Sequence, residues 1–269
     1  MNKKLIFLIL LFLSLFNLSA FANYNQFKPS QFSRNNEIVI EKWNSKEGIK
    51  RLEQSKFKDD FYQLANFFQP QINPLYCGMA SSVIILNALK NNKSSQKELE
   101  VKIPKIFGGG IAPFKSYSQL TFLNKNTDKV KKREIIELKN IDDNSKIDPG
   151  VTLQQLSQIL NQSYDLKVNI NYVTKVDYKE LMDFRKDLKE ILNDKTNYIL
   201  ANFMGKTIGL KTGGHISPLV AYDQISDSIL VLDVAGHHNS WYWIKLEDIY
   251  RAMNTKDGDK YRGYLIVRN

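Results

Sequence analysis

The order of the hydrophobic periodicities constrains this chain more than any single motif does. Helical spacing fills the first part and strand-like runs fill the last. Residues 50–68 place Leu52, Phe57, Phe61, Leu64 and Phe68 close to one helical face, and 77–89 continue with Ala80, Val83, Ile84, Leu86 and Leu89. Further helical patterns at 152–164 and 178–193 flank a short strand at 167–173, and a last helix spans 246–253. Strand runs follow at 198–204, 216–222, 228–234 and 263–267. Antiparallel strands arriving after helices predict an α+β protein: an N-terminal helical lobe packed on a C-terminal sheet lobe, with a cleft at their junction. Between 90 and 148 the pattern weakens, and Gly108-Gly109-Gly110 lacks the Gly-Lys-Ser/Thr continuation of a phosphate loop. That stretch reads as surface loop.

Residues 1–22 carry Lys3 and Lys4, then an apolar run, then Ser19-Ala20-Phe21-Ala22, the pattern of a secretory signal peptide cut after Ala22. Residues 23–269 then form a single catalytic domain, and losing the two lysines lowers the formal net charge from +10 to +8. The expected location is exported, periplasmic or secreted, with no stable membrane span after cleavage. Lysines are scattered among Asp, Glu and Asn, as in 125–139, without interleaved aromatics. Such a run is a solvated surface, so no nucleic-acid partner is expected; the charge favours small anionic substrates at most.

Export sharpens the meaning of Cys77, the single cysteine in 269 residues. It cannot form an internal disulfide, so it is a reactive thiol or an intermolecular partner. It opens the apolar 77–89 helix, where free backbone N–H groups and the helix dipole favour an anion. Pro74 restricts the approach to that helix without breaking it.

A cysteine nucleophile needs a base, and the base needs an acceptor on its other ring nitrogen. His237 and His238 sit in a polar turn, whereas His215 follows Thr212-Gly213-Gly214 and opens a strand. Asp233 is a carboxylate inside the otherwise apolar strand run Ser228-Ile229-Leu230-Val231-Leu232-Asp233-Val234-Ala235, where it demands a partner. A hairpin of 216–222 with 228–234 brings His215 and Asp233 to one end of adjacent strands. The order Cys, His, Asp, with the His 138 residues after the Cys, is that of papain-like enzymes, although the local papain signature is absent. The tetrahedral oxyanion needs preplaced donors; Gln71, six residues before Cys77, and the Cys77 backbone N–H are the candidates, with Gln69 less well placed.

Several segments together resemble the phytochelatin synthase family in its short bacterial, glutathione-hydrolase-like form. They are Phe67-Phe68-Gln69-Pro70-Gln71 through Pro74-Leu75-Tyr76-Cys77-Gly78-Met79-Ala80-Ser81, Gly150-Val151-Thr152-Leu153, Asp183-Phe184-Arg185-Lys186, Gly213-Gly214-His215-Ile216-Ser217-Pro218, Leu232-Asp233-Val234-Ala235, and Arg262-Gly263-Tyr264. The resemblance implies a papain-like fold, a Cys77, His215, Asp233 triad and Gln71 at the oxyanion hole. It implies attack on the Cys–Gly amide of glutathione, release of glycine and a γ-glutamylcysteinyl thioester. It places Gly214, Asp257, Arg262 and Tyr264 at the substrate, with Asp259 as the rival of Asp257. No cofactor is required; cadmium or zinc enters as a glutathione thiolate complex or an activator. Glutathione and related γ-glutamyl peptides are the expected partners, and a dimer is compatible with the reading. Where the family usually has Arg after Asp-Val-Ala this chain has Gly236, followed by His237-His238-Asn239-Ser240, which tilts the expectation from chain building toward hydrolysis. Two rival readings share the constellation: a papain-like peptidase acting on longer peptides, and a non-catalytic binder of glutathione or metal thiolates.

Overall fold

The computed structural model describes residues 37–90, 99–102, 105–109, 111–114, 116–138 and 149–269. The signal-peptide reading of 1–22 lies outside the described residues. Residues Ile38–Asn269 cluster as one unit. Its centre is a seven-stranded sheet built from β1 (Glu41–Lys42), β2 (Lys167–Tyr172), β3 (Asn197–Met204), β4 (Gly214–Asp223), β5 (Ser228–Val231), β6 (Tyr242–Lys245) and β7 (Gly263–Arg268). In space the order is β1-β6-β5-β4-β3-β7-β2, and every neighbouring pair is antiparallel. The helices of seven or more residues are α1 (Lys46–Gln54), α2 (Asp59–Ala65), α3 (Cys77–Lys90), α4 (Leu153–Tyr164), α5 (Tyr178–Ile191) and α6 (Leu246–Met253). Among the described residues no helix is long and apolar enough to cross a membrane.

The helix starts follow from capping chemistry. Ser45, Thr152 and Asp177 each accept a backbone N–H of the first turn of α1, α4 and α5, and Gln155 completes a capping box with Thr152. The helix expected over 50–68 is broken in two. Ser55, in extended backbone, closes α1 with its N–H on the Arg51 carbonyl at 3.0 Å and its Oγ on the same carbonyl at 2.6 Å, and Lys58 Nζ takes the Leu52 and Glu53 carbonyls at 2.9 and 2.8 Å, which caps the helix end.

The sheet is covered on both sides. Leu265 and Val267 of β7 join the core under α3 and α4, whereas the preceding Tyr264, on the opposite face, packs on Phe184 of α5 at 4.6 Å, and Phe184 meets Tyr250 of α6 at 5.3 Å. The expected separation into a helical lobe and a sheet lobe is amended accordingly: α5 and α6, from the second half, close the face opposite α3. The α+β character stands. Strands β1 and β6 are additions to the expected set, and within 90–148 a small hairpin pairs Leu99–Lys102 with Ile111–Phe114.

The β4–β5 hairpin positions the site. Its turn is tied down by the Asp223 carboxylate, which accepts Ile225 and Ser226 N–H groups and the Gln54 amide. Asp227, at φ 47°, is gripped by both ends of the Arg185 guanidinium at 2.9 and 2.7 Å and by the Tyr222 hydroxyl at 2.6 Å. The far end of the same hairpin carries His215 and leads into Asp233.

Candidate active site

Cys77 is the first residue of α3 and is half-buried. The turn before it is set by Asn73, whose side chain accepts the Leu75 N–H at 2.9 Å and whose carbonyl accepts the Tyr76 N–H at 2.9 Å. The helix then runs through Met79, Ala80, Val83, Ile84 and Ile85, each fully buried, so its N-terminus is fixed by its own core packing. Gly78 permits that seating: a Cβ there would stand 2.9 Å from the Val151 methyl and 3.4 Å from Ile216. Ser81 Oγ adds a bond of 2.9 Å to the Ile216 carbonyl, joining α3 to β4 one residue from His215.

His215, 3% exposed, hydrogen bonds through Nε2 to Asp233 Oδ1 at 2.8 Å. With Nε2 committed, Nδ1 is the ring nitrogen left for Cys77. Ser217 Oγ lies 3.0 Å from the same Nε2 and accepts the Val234 N–H at 3.3 Å, while the Phe203 ring meets the imidazole edge-on at 5.5 Å. Asp233 is fully buried; Oδ1 also accepts the Ala235 N–H at 2.8 Å, and Oδ2 accepts the Asn239 amide at 3.1 Å. Burial alone would depress the His215 pKa, but the Asp233 hydrogen bond and the adjacent Cys77 sulfur outweigh it and raise it to about 10. For Asp233 burial pushes upward, and His215 with the Ala235 and Asn239 donors pulls the carboxyl below its usual range. The pair therefore favours imidazolium beside carboxylate.

The other residues singled out from sequence fall in three places. Gln71 is buried before α3 with its backbone N–H on the Val234 carbonyl, next to Asp233. Its side-chain amide, expected to be free for an oxyanion, instead donates both N–H groups, to the Asn73 and Pro74 carbonyls at 3.1 and 3.0 Å, and Oε1 is buried without a partner. Gly214 touches Arg262: a Cβ at 214 would lie 2.7 Å from Nη2. Arg262 is buried, pairs with Asp257 at 3.0 Å and reaches the Thr255 hydroxyl at 3.3 Å and the Lys256 carbonyl; its Nε has no partner. Asp257 in turn accepts the Asn202 amide at 2.9 Å.

A cavity of about 200 Å³ opens beside this pair, lined by Thr152, Tyr172, Asp257, Asp259, Lys260 and Tyr261. Asp257 faces both the cavity and Arg262; Asp259 lies on the exposed rim. Tyr264, expected beside them, is committed elsewhere, its hydroxyl donating to Asp187 at 2.9 Å and its ring lying on Phe184. His237 and His238 are exposed, with ring centroids 4.1 Å apart. Among the described residues no group of three or more His, Cys, Asp or Glu side chains is arranged to hold a metal ion.

Three polar residues were not singled out from the sequence. Ser217 was findable, because strand periodicity puts it on the same face as His215 two residues earlier. Asn239 and Asn202 had no such signal, since each meets its carboxylate only through the tertiary fold.

A buried imidazole–carboxylate pair beside a helix-initial cysteine, on an antiparallel α+β scaffold, defines a candidate thiol nucleophile centre. The family model for phytochelatin synthase matches residues 35–264, and the chain belongs to that family. It is 25% identical over 211 residues to a glutathione gamma-glutamylcysteinyltransferase of Schizosaccharomyces pombe, covering 78% of this chain and 43% of the relative. The glutathione gamma-glutamylcysteinyltransferase 1 of Arabidopsis thaliana is 22% identical over 211 residues, with 78% and 37% covered. That of Triticum aestivum is 24% identical over 212 residues, with 78% and 36% covered. The chain therefore spans about two fifths of the length of these relatives.

Proposed function

We propose that this protein is a papain-like cysteine acyltransferase that attacks the Cys–Gly amide of glutathione and resolves the resulting acyl-enzyme mainly with water. The observation that carries the reading is the buried His215–Asp233 pair at 2.8 Å with Cys77 close enough to act on the imidazole. In the first half-reaction the Cys77 sulfur adds to the amide carbonyl while His215 holds the thiol proton. His215 then gives that proton to the glycine nitrogen, the C–N bond breaks, glycine leaves, and a γ-glutamylcysteinyl thioester remains. Water attacks the thioester, His215 takes its proton, and γ-glutamylcysteine departs as the sulfur is released. A second glutathione amine in place of water would yield a longer γ-glutamyl peptide.

The Cys77 N–H, in the first turn of α3, has no intrahelical acceptor and suits the oxyanion. For Gln71 to serve as the second donor, one of its bonds to Asn73 or Pro74 has to be released. Arg262, which Gly214 touches, and Asp257, which lines the cavity, supply opposite charges for the carboxylate and amine of the γ-glutamyl end. Cadmium or zinc enters as the thiolate complex of the substrate. The leader reading of 1–22 puts the reaction in an exported compartment.

The test incubates the reduced protein with glutathione, with and without cadmium or zinc, and measures glycine, γ-glutamylcysteine and longer oligomers. Glycine with γ-glutamylcysteine supports hydrolysis, and oligomers support transfer. Binding without either product, or full activity of Cys77→Ser, refutes the covalent reading.

A further inference from the structure

The geometry of the turn after Asp233 gives one residue there a task. The His238 and Asn239 N–H groups return to the Ala235 carbonyl at 2.8 and 3.0 Å, folding the turn back over Asp233. This brings the Asn239 amide to Asp233 Oδ2 at 3.1 Å, while Oδ1 is taken by His215 and the Ala235 N–H. On the neighbouring strand β6, Tyr242 pairs with Val231, two residues before Asp233, and its hydroxyl is buried with no partner; burial, then the Asp233 charge, holds its pKa well above the usual value. A buried hydroxyl without a partner is costly, and a carboxylate is the strongest acceptor it could find.

We propose that Asn239 is a positioning residue that holds the Asp233 carboxylate on His215 against capture by the buried Tyr242 hydroxyl. Asn239 touches neither sulfur nor substrate. It acts by occupying Oδ2, which fixes the carboxylate plane so that Oδ1 stays aligned with Nε2. The charged or titratable groups around this unit are Cys77 from α3, His215 from β4, Asp233 itself and Tyr242 from β6; His237 and His238 lie on the exposed side of the turn. The inference rests on the Cys77–His215–Asp233 reading of the site but not on glutathione being the substrate.

Cys77 is the only cysteine, so its alkylation by iodoacetamide reports this unit without any substrate. Four proteins are compared at pH 7: the parent, Asn239→Ala, Tyr242→Phe and the double variant. Asn239→Ala is expected to slow alkylation about tenfold, the scale of one hydrogen bond to a charged group. Tyr242→Phe should stay within about twofold of the parent, and adding it to Asn239→Ala should restore most of the lost rate, because the competitor is gone. Glutathione cleavage, where present, should lose kcat and keep KM. A merely structural role for Asn239 predicts no rescue. An unchanged rate in Asn239→Ala, or a double variant no faster than Asn239→Ala, overturns the proposal. Should the alanine variant fail to fold, Asn239→Leu, of similar size and without a donor, takes its place in the cycle with the same two outcomes. Failure of glutathione cleavage in the parent with normal rescue in alkylation would sink the substrate reading alone.

Discussion

Replacing Arg185 by Leu tests how the site is held from a distance. Arg185 and Asp227 form a two-pronged ion pair at 2.9 and 2.7 Å, with side chains only 9% and 13% exposed. A surface pair would contribute at most about 1 kcal/mol. Here the Asp227 carboxylate would remain buried with the Tyr222 hydroxyl but without its cation, and breaking such a pair costs about 3 to 5 kcal/mol. With a urea slope of about 3 kcal/mol per molar for a domain of this size, the unfolding midpoint should fall by about 1 to 1.7 M at constant slope. The double variant Arg185→Leu with Asp227→Asn should recover at least half of that loss, since Asn tolerates the positive φ and carries no charge. The assay is equilibrium urea unfolding followed by far-ultraviolet circular dichroism. A midpoint drop under about 0.3 M for the single variant, or a double variant less stable than the single, would refute the reasoning.

Other outcomes follow from the site and its surroundings. Cys77→Ser should lower glutathione cleavage by about a thousandfold or more while leaving the urea midpoint near that of the parent. Gly214→Ala pushes a methyl to 2.7 Å from the Arg262 guanidinium, which is pinned by Asp257 and Thr255; steady-state kinetics should show KM rising about tenfold with a smaller change in kcat. Asp60 is fully buried with neither carboxylate oxygen partnered, and burial followed by the Asp194 and Asp59 charges raises its pKa well above normal. A raised carboxyl pKa gives stability that is present below the unfolded value and lost as pH rises through the folded one. Asp60→Asn should therefore raise the urea midpoint at pH 8 and give no gain at pH 4. His215 also has a raised pKa, so its contribution with Asp233 should persist through neutrality and disappear as pH rises through about 10, visible as the alkaline limb of Cys77 alkylation.

Much of this arrangement could be read from residue order, and the rest could not, for reasons of distance. Pro74 before an unbroken apolar run marks the start of α3, and the helical spacing over 152–164 marks α4 within a residue. The short 223–227 turn fixed the register that sets His215 near Asp233, because strand period and loop length together leave little freedom. The break at Ser55 is not written in hydrophobic spacing, because it rests on an extended Ser55 and on Lys58 capping the Leu52 and Glu53 carbonyls. Tyr264 stood in the right segment, yet only its packing on Phe184 shows where the ring goes. For Gln71 the residue type fitted a donor, but the two carbonyls that occupy its amide are a property of the folded loop. Helices α5 and α6 carry clear periodicity, although nothing in it says which face of the sheet they cover.

His215 and Asp233 ride on one ribbon of two strands whose distal loop is clamped to α5, while Cys77 belongs to a separate helix. Thermal motion consequently carries the imidazole and the carboxylate together, and the buried Ser81–Ile216 bond yokes the cysteine helix to the strand that bears the imidazole. Gradual heating should thus silence thiol reactivity and the imidazole–carboxylate contact in one step.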